Sequence, residues 1–229
     1  METKKRRLED SEMSALLDHG DFARINDEMK QYDETREQII KRSREILKSS
    51  KQAIFSLHRG DTNTAANLLL KAEQVTSELV PLTKENPSLR HGALSSALEE
   101  YAEAKCFAHY LETHTLLSQR AMANVEREEY LGGVTDFTGE LVRYAIVKAT
   151  ARDEAAVRRC HAMVEAISGE LIQFDFRNGP LRKKYDSVKY NLRKLENTLY
   201  ELSLIQANGL KLQADPVVEE QAQHDTAAE

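Results

Sequence analysis

Seven residues near the C-terminal end, Leu181, Tyr185, Val188, Leu192, Leu195, Leu199 and Leu202, recur in alternating steps of four and three. A helix turns about 100° per residue, so these steps return each side chain to one face and form a heptad seam that must be buried against another helix. The opposite side carries Arg182, Lys183, Lys184, Lys189, Arg193 and Lys194. The partner of the seam can lie within the chain or in a second copy. No segment offers a strand pattern.

The rest of the chain repeats this logic. Asp21–His58 carries an apolar stripe of Ile25, Met29, Tyr32, Ile39, Ile46, Ile54 and Leu57. Asp61 or Thr62 then caps a second helix, Thr64–Lys84, which Pro81 kinks or ends early. After the Asn86-Pro87-Ser88 turn comes a third helix over Ser88–Ala123. A fourth covers Tyr130–Lys148, a fifth Glu154–Phe174 and a sixth Leu181–Leu204, restarted by Asn178-Gly179-Pro180. The 229 residues contain no Pro/Gly/Ser-rich linker. The pattern predicts an all-α, single-domain bundle of about six or seven helices over 23–205, between a polar tail (1–22) and an acidic tail (206–229), both expected to be disordered.

No apolar run reaches the roughly 20 residues that cross a bilayer, and the polar N-terminus does not resemble a secretory signal. The expected location is the cytoplasm. The run Lys4-Lys5-Arg6-Arg7 reads either as a short nuclear-import signal, which would add the nucleus, or as a solvated tail. Cys106 and Cys160, the only cysteines, fall in helical patterns and read as free, buried thiols. The net charge of −6 excludes a general polyanion-coating surface, so any nucleic acid must meet a local basic patch or an enclosed site.

Candidate chemistry lies in two acid pairs. In Y-L-G-G-V-T-D-F-T-G-E-L-V-R-Y (Tyr130–Tyr144), Asp136 and Glu140 stand one turn apart, beside an apolar stripe of Tyr130, Val134, Phe137, Leu141 and Tyr144. In A-L-E-E-Y-A-E-A-K-C-F-A-H-Y (Ala97–Tyr110), Glu100 and Glu103 share a face with Phe107, Tyr110 and Leu111, which draws at least one of them out of bulk water. Two helices offering such pairs could cage a hard divalent ion, Mg²⁺ or Mn²⁺, although in a chain with 38 acidic residues solvated acidic faces are common. Gly132, Gly133 and Gly139 each cost about 1 kcal/mol relative to Ala in a helix, so something approaches the backbone there. His91, His109 and His114 lack the spacing of a helical zinc pair and read as packing or surface residues. Lys41, with Arg42, Arg44, Lys48 and Lys51, makes the second half of the first helix basic, either a phosphate path or a solvated face.

The Gly179–Leu204 segment, G-P-L-R-K-K-Y-D-S-V-K-Y-N-L-R-K-L-E-N-T-L-Y-E-L-S-L, resembles the C-terminal helix of the translin family. Y-L-E-T-H-T-L (Tyr110–Leu116) and Y-L-G-G-V-T-D-F-T-G-E-L (Tyr130–Leu141) resemble the same family in the same order, and the likeness spans roughly Ile25–Ile205. Translin proper binds RNA and single-stranded DNA, whereas the translin-associated factor X (TRAX) branch carries catalytic acids and cleaves RNA with Mg²⁺. G-V-T-D-F-T-G-E-L resembles the TRAX signature, the upstream E-E-Y-A-E-A likewise resembles that branch, and the C-terminal helix is more similar to translin.

The resemblance thus implies a metal-dependent endoribonuclease acting on single-stranded or unpaired RNA, with Glu100, Glu103, Asp136 and Glu140 as catalytic residues and ligands of one or two Mg²⁺ (or Mn²⁺) ions. Lys41, Arg182, Lys183, Lys184 and Arg193 would track the nucleic-acid backbone. It also implies assembly with translin-family subunits, as a homo- or hetero-oligomer and most simply an octameric shell with inward-facing sites. The rival expectation is a non-catalytic scaffold that binds RNA or single-stranded DNA, its acids spent on ion pairs.

Overall fold

Three aspartates start helices by accepting bonds from backbone N–H groups that the first turn leaves free. Asp18 takes those of Gly20 and Asp21 at 3.0 and 3.1 Å, Asp61 that of Thr64 at 3.1 Å, and Asp153 that of Ala156 at 3.0 Å. In the computed structural model, which describes residues 17–177 and 179–208, these caps open α1 (His19–His58), α2 (Thr62–Leu79) and α5 (Glu154–Leu171). The remaining helices are α3 (Ala93–Thr113), α4 (Arg127–Thr150) and α6 (Pro180–Asn208). Among the described residues there is no strand, in keeping with the all-α expectation. The Lys4–Arg7 run and most of both predicted tails lie outside the described residues.

The helices pack as two sets of three. α1 lies against α2 and α3, α6 lies against α4 and α5, and the broad contact of α3 with α4 joins the sets. Phe107 and Tyr110 of α3 and Phe137 and Leu141 of α4 are fully or almost fully buried at this junction. The heptad seam is used within the chain: Tyr185, Val188, Leu195 and Leu202 are buried, and α6 packs on α4 and α5.

Several boundaries differ from the periodicity reading. The third helix is shorter than Ser88–Ala123: Pro87–Arg90 forms a separate 3₁₀ turn, Gly92 takes φ 88°, and His114 ends α3 in the left-handed region at φ 58°. Pro81 acts as expected, since α2 stops at Leu79 and a 3₁₀ turn, Val80–Thr83, follows. The apolar stripe of α1 is only half used. Ile39, Ile46, Ile54 and Leu57 are buried, whereas Ile25 and Met29 are 39% and 62% exposed.

Two features fix the entry to α3 and α4. The Arg90 guanidinium donates to both carboxylate oxygens of Glu129, Nε at 2.9 Å and a terminal nitrogen at 2.6 Å, and to the Asn124 carbonyl at 2.7 Å. Both residues are buried, and Glu129 also accepts from the Glu126 N–H at 2.8 Å, closing a capping box at the start of α4. Further along α4, a Cβ on Gly133 would stand 2.6 Å from the Glu99 carbonyl oxygen and 2.8 Å from the Glu103 nitrogen, so the backbones of α3 and α4 touch there. Gly139 is different, because its Cβ would meet only Asn191 at 3.8 Å, and the close approach expected there is not found.

Two substitutions test this frame in thermal melts. Arg90→Ala strands a buried carboxylate and should cost roughly 3–5 kcal/mol, a fall in Tm on the order of 10 °C. Gly133→Ala should force the helices apart and cost about 1–3 kcal/mol, whereas Gly139→Ala should be neutral or slightly stabilising.

Candidate active site

The contact at Gly132 and Gly133 sets Glu99, Glu100 and Glu103 of α3 beside Asp136 and Glu140 of α4. Glu103 is 8% exposed. Burial, then repulsion from Glu100, Asp136 and Glu140, pushes its carboxyl up to about 9. Glu100 is raised as well, first by burial and then by Asp136 and Glu140, with Lys51 opposing. The four predicted acids therefore lie on one side of the α3–α4 contact and sense one another's charge.

Three of the four have cationic or imidazole partners. Asp136 accepts from the Lys184 ammonium at 2.5 Å, Glu100 lies 3.8 Å from that of Lys51, and Glu140 contacts His58 Nε2 and stands 3.9 Å from Arg143. Glu103 has no hydrogen bond or ion pair among the described residues. With its neighbours drawn to these partners, no three His, Cys, Asp or Glu side chains among the described residues are gathered closely enough to hold a metal ion in this arrangement. The donor chemistry still fits one. Carboxylate oxygens from two packed helices suit a hard divalent cation, and a nearly buried carboxylate without a counter-charge is the group such a cation would compensate.

Three contributors escaped the sequence reading. His58, in the last turn of α1, packs on Phe107 with the rings tilted by 37° and their centroids 4.6 Å apart, and aims Nε2 at Glu140. Glu99 was passed over in favour of its neighbour Glu100, yet its carboxylate covers Gly132 and accepts from Lys184 at 2.5 Å. Lys51 was grouped with a solvated or phosphate-lining face and instead reaches Glu100.

The basic residues divide. Lys184 was expected on a nucleic-acid path, but its ammonium is inserted between Glu99 and Asp136. Burial lowers its proton affinity, and the bonds to Asp136 and Glu99 more than offset this, leaving it raised above an ordinary lysine. Lys183 and Arg193 are exposed on α6, and Arg182 lies over the Tyr185 ring and 3.8 Å from Asp186. Lys41 is on another helix, α1, paired with Glu37 at 3.0 Å. A cleft of about 590 Å³, lined by Leu47, Glu99, Glu100, Asp136, Leu181 and Lys184, opens the cluster to solvent.

The sequence profile of the Translin family matches residues 34–205. The chain belongs to the translin family. Translin of Gallus gallus is 33% identical over 111 residues, which cover 43% of this chain and 48% of that protein. The chain thus spans about half the length of the first translins it matches. Translin-associated protein X of Pongo abelii aligns over more, 28% identical across 214 residues, 73% of this chain and 72% of that protein. The Schizosaccharomyces pombe homolog of that protein is 31% identical over 144 residues, 57% of this chain and 62% of its own.

Two solved structures share the fold of this translin-family chain. Apo-NeC3PO superposes with a TM-score of 0.73 at 22% identity, covering 79% of this chain and 96% of that one. AfC3PO in complex with duplex RNA superposes with a TM-score of 0.72 at 23% identity, covering 82% and 98%.

The raised Glu103 carboxyl has a signed consequence. Between the ordinary glutamate range near 4.5 and about 9, the unfolded chain releases this proton and the folded chain keeps it. Stability then falls as pH rises through that window. Glu103→Gln should remove this loss, so its Tm advantage over the natural protein, without added metal, should be larger at pH 8.5 than at pH 5.

Proposed function

We propose that this translin-family chain is a metal-dependent endoribonuclease acting on single-stranded or unpaired RNA, in the manner of the TRAX branch. The observation that carries the reading is the meeting of two acid pairs, Glu100/Glu103 and Asp136/Glu140, at one helix contact with Glu103 left uncompensated. These four residues would hold one or two Mg²⁺ or Mn²⁺ ions. A bound ion would supply charge to a phosphate oxygen and a water acidified for attack.

The chain's own groups provide position and access. His58 orients Glu140, as imidazole–carboxylate contacts behind metal ligands commonly do, and packing on Phe107 fixes the ring. The cleft over Glu100 and Asp136 admits a phosphodiester without unfolding the helices. Exposed Lys183 and Arg193, with Arg182 and Lys41, would hold the strand by its phosphates, and such contacts carry little sequence information. The duplex RNA in the AfC3PO complex supports RNA as the ligand class. The similarity to both translin and translin-associated protein X supports assembly with translin-family subunits, which an octameric shell would satisfy. The exposed Phe22 and Met29 of α1 are apolar surface that such assembly could cover.

A second reading, a non-catalytic scaffold for RNA or single-stranded DNA, draws on the ion pairs of Lys184 and Lys51, which satisfy two of the acids without metal.

Incubation with a labelled unstructured RNA, with and without EDTA, separates the readings. We expect cleavage that EDTA abolishes. Loss of an orienting contact behind a metal ligand costs roughly 10–100-fold, so Asp136→Asn, which weakens a ligand, should cost at least about 100-fold. Undiminished cleavage by Asp136→Asn would rule out this site, and absence of cleavage by the natural protein would leave the scaffold reading in place.

A further inference from the structure

Among the described residues, Lys184 is the one cation that reaches two carboxylates of the cluster at once. Its Nζ lies 2.5 Å from Glu99 on α3 and 2.5 Å from Asp136 on α4. Neighbouring α6 cations are placed otherwise: Lys183 and Lys194 are exposed, and Arg182 turns to Asp186 and Tyr185. The side chain of Lys184 is 30% exposed and lines the open cleft with Glu99, Glu100 and Asp136, so it has room to swing out. Its head also bears on Glu100 and Glu103, the acids across from Asp136.

We propose that Lys184 is a built-in counter-cation, occupying the acidic cluster when no divalent ion is bound and leaving it when one enters, and that this exchange sets the metal affinity. The inference rests on the metal-dependent reading above and adds a residue that competes with the ion instead of binding it. Three features make the exchange physically reasonable. Asp136 cannot give its Oδ2 lone pairs fully to a metal while the ammonium donates to that atom. A single positive charge leaves Glu103 uncompensated, whereas a divalent ion brings one more. The long lysine stem lets the ammonium leave while its methylenes stay on the cleft wall.

A state that must open before binding weakens the apparent affinity by the fraction of time it is open. If the ammonium sits in place about 90–99% of the time, its removal should tighten binding roughly 10–100-fold. Replacing any lysine also makes the chain more acidic, so the effect must be local. Lys194→Met on the same helix provides the matching charge change at an exposed position.

The experiment is Mn²⁺ binding to the full chain, followed by electron paramagnetic resonance of the free ion. Lys184→Met should bind at least tenfold tighter than the natural protein, Lys194→Met within about twofold of it, and Lys184→Arg within about threefold, with helicity checked by circular dichroism. A second measurement uses the unaltered protein: labelling of Lys184 by an amine-reactive ester, read by mass spectrometry, should rise when Mn²⁺ is added and stay constant at Lys194. Equal or weaker binding by Lys184→Met, or unchanged labelling of Lys184 under saturating Mn²⁺, overturns the exchange and leaves the metal site standing. If the natural protein and Lys184→Met both bind no Mn²⁺ in a manner lost in Asp136→Asn, the exchange and the metal reading fall together.

Discussion

The backbone contact between α3 and α4 is the constraint on which the rest depends. A Cβ at Gly132 would stand 2.8 Å from the Glu99 side chain, and one at Gly133 would stand 2.7 Å from the Ala102 Cβ, so neither position tolerates even a methyl group without a shift. The residue of α3 opposite Gly133 is correspondingly small, the fully buried Ala102. Two glycines inside a helix sacrifice about 2 kcal/mol of propensity. Close packing offsets this by burying Phe107, Tyr110 and Phe137, aromatic side chains whose burial contributes roughly 1.5–3 kcal/mol each. The same approach brings the carboxylates of the two helices to one another, so the packing that stabilises the bundle also creates its electrostatic problem.

That problem is met by groups from the outer helices. Lys51 and His58 come from α1 and Lys184 from α6, while Arg143 comes from α4 itself. The cluster therefore depends on both three-helix sets, and its integrity reports on the whole bundle. The carboxylates in these contacts are less exposed than those paired with Arg24, Asp21 and Glu28, which lie in solvent and whose pairs contribute little. The Arg90–Glu129 pair differs again, being buried with its donors and acceptors matched.

Periodicity made the helices legible, because steps of three and four survive in every amphipathic segment, and the heptads of α6 do lie on the packed side. The tight glycines at 132 and 133 were legible too, as a propensity cost requiring a reason. The end of α3 was not. Leu111 to Leu117 contains no Gly or Pro, and only a left-handed turn at His114, held by its N–H to the Tyr110 carbonyl at 2.8 Å, breaks the helix. Nor could local pattern join His58 to Glu140, 82 residues away, or Lys184 to Asp136, 48 away, because those partnerships exist only once α1 and α6 have docked on the central pair. Lys184 looked like its neighbours because charge on a helix flank reads alike whether the flank meets solvent or an acidic partner.

The acidic character of the chain then acquires a local meaning. Five carboxylates, Glu99, Glu100, Glu103, Asp136 and Glu140, face three cations, Lys51, Lys184 and Arg143, so with every acid ionised the cluster is short of two positive charges. Keeping a proton on Glu103 reduces the deficit to one, and so does a divalent ion taking the place of Lys184. The same negative cleft repels a polyanion, so in a chain of net charge −6 neutralising this cluster is a condition of any phosphodiester reaching it.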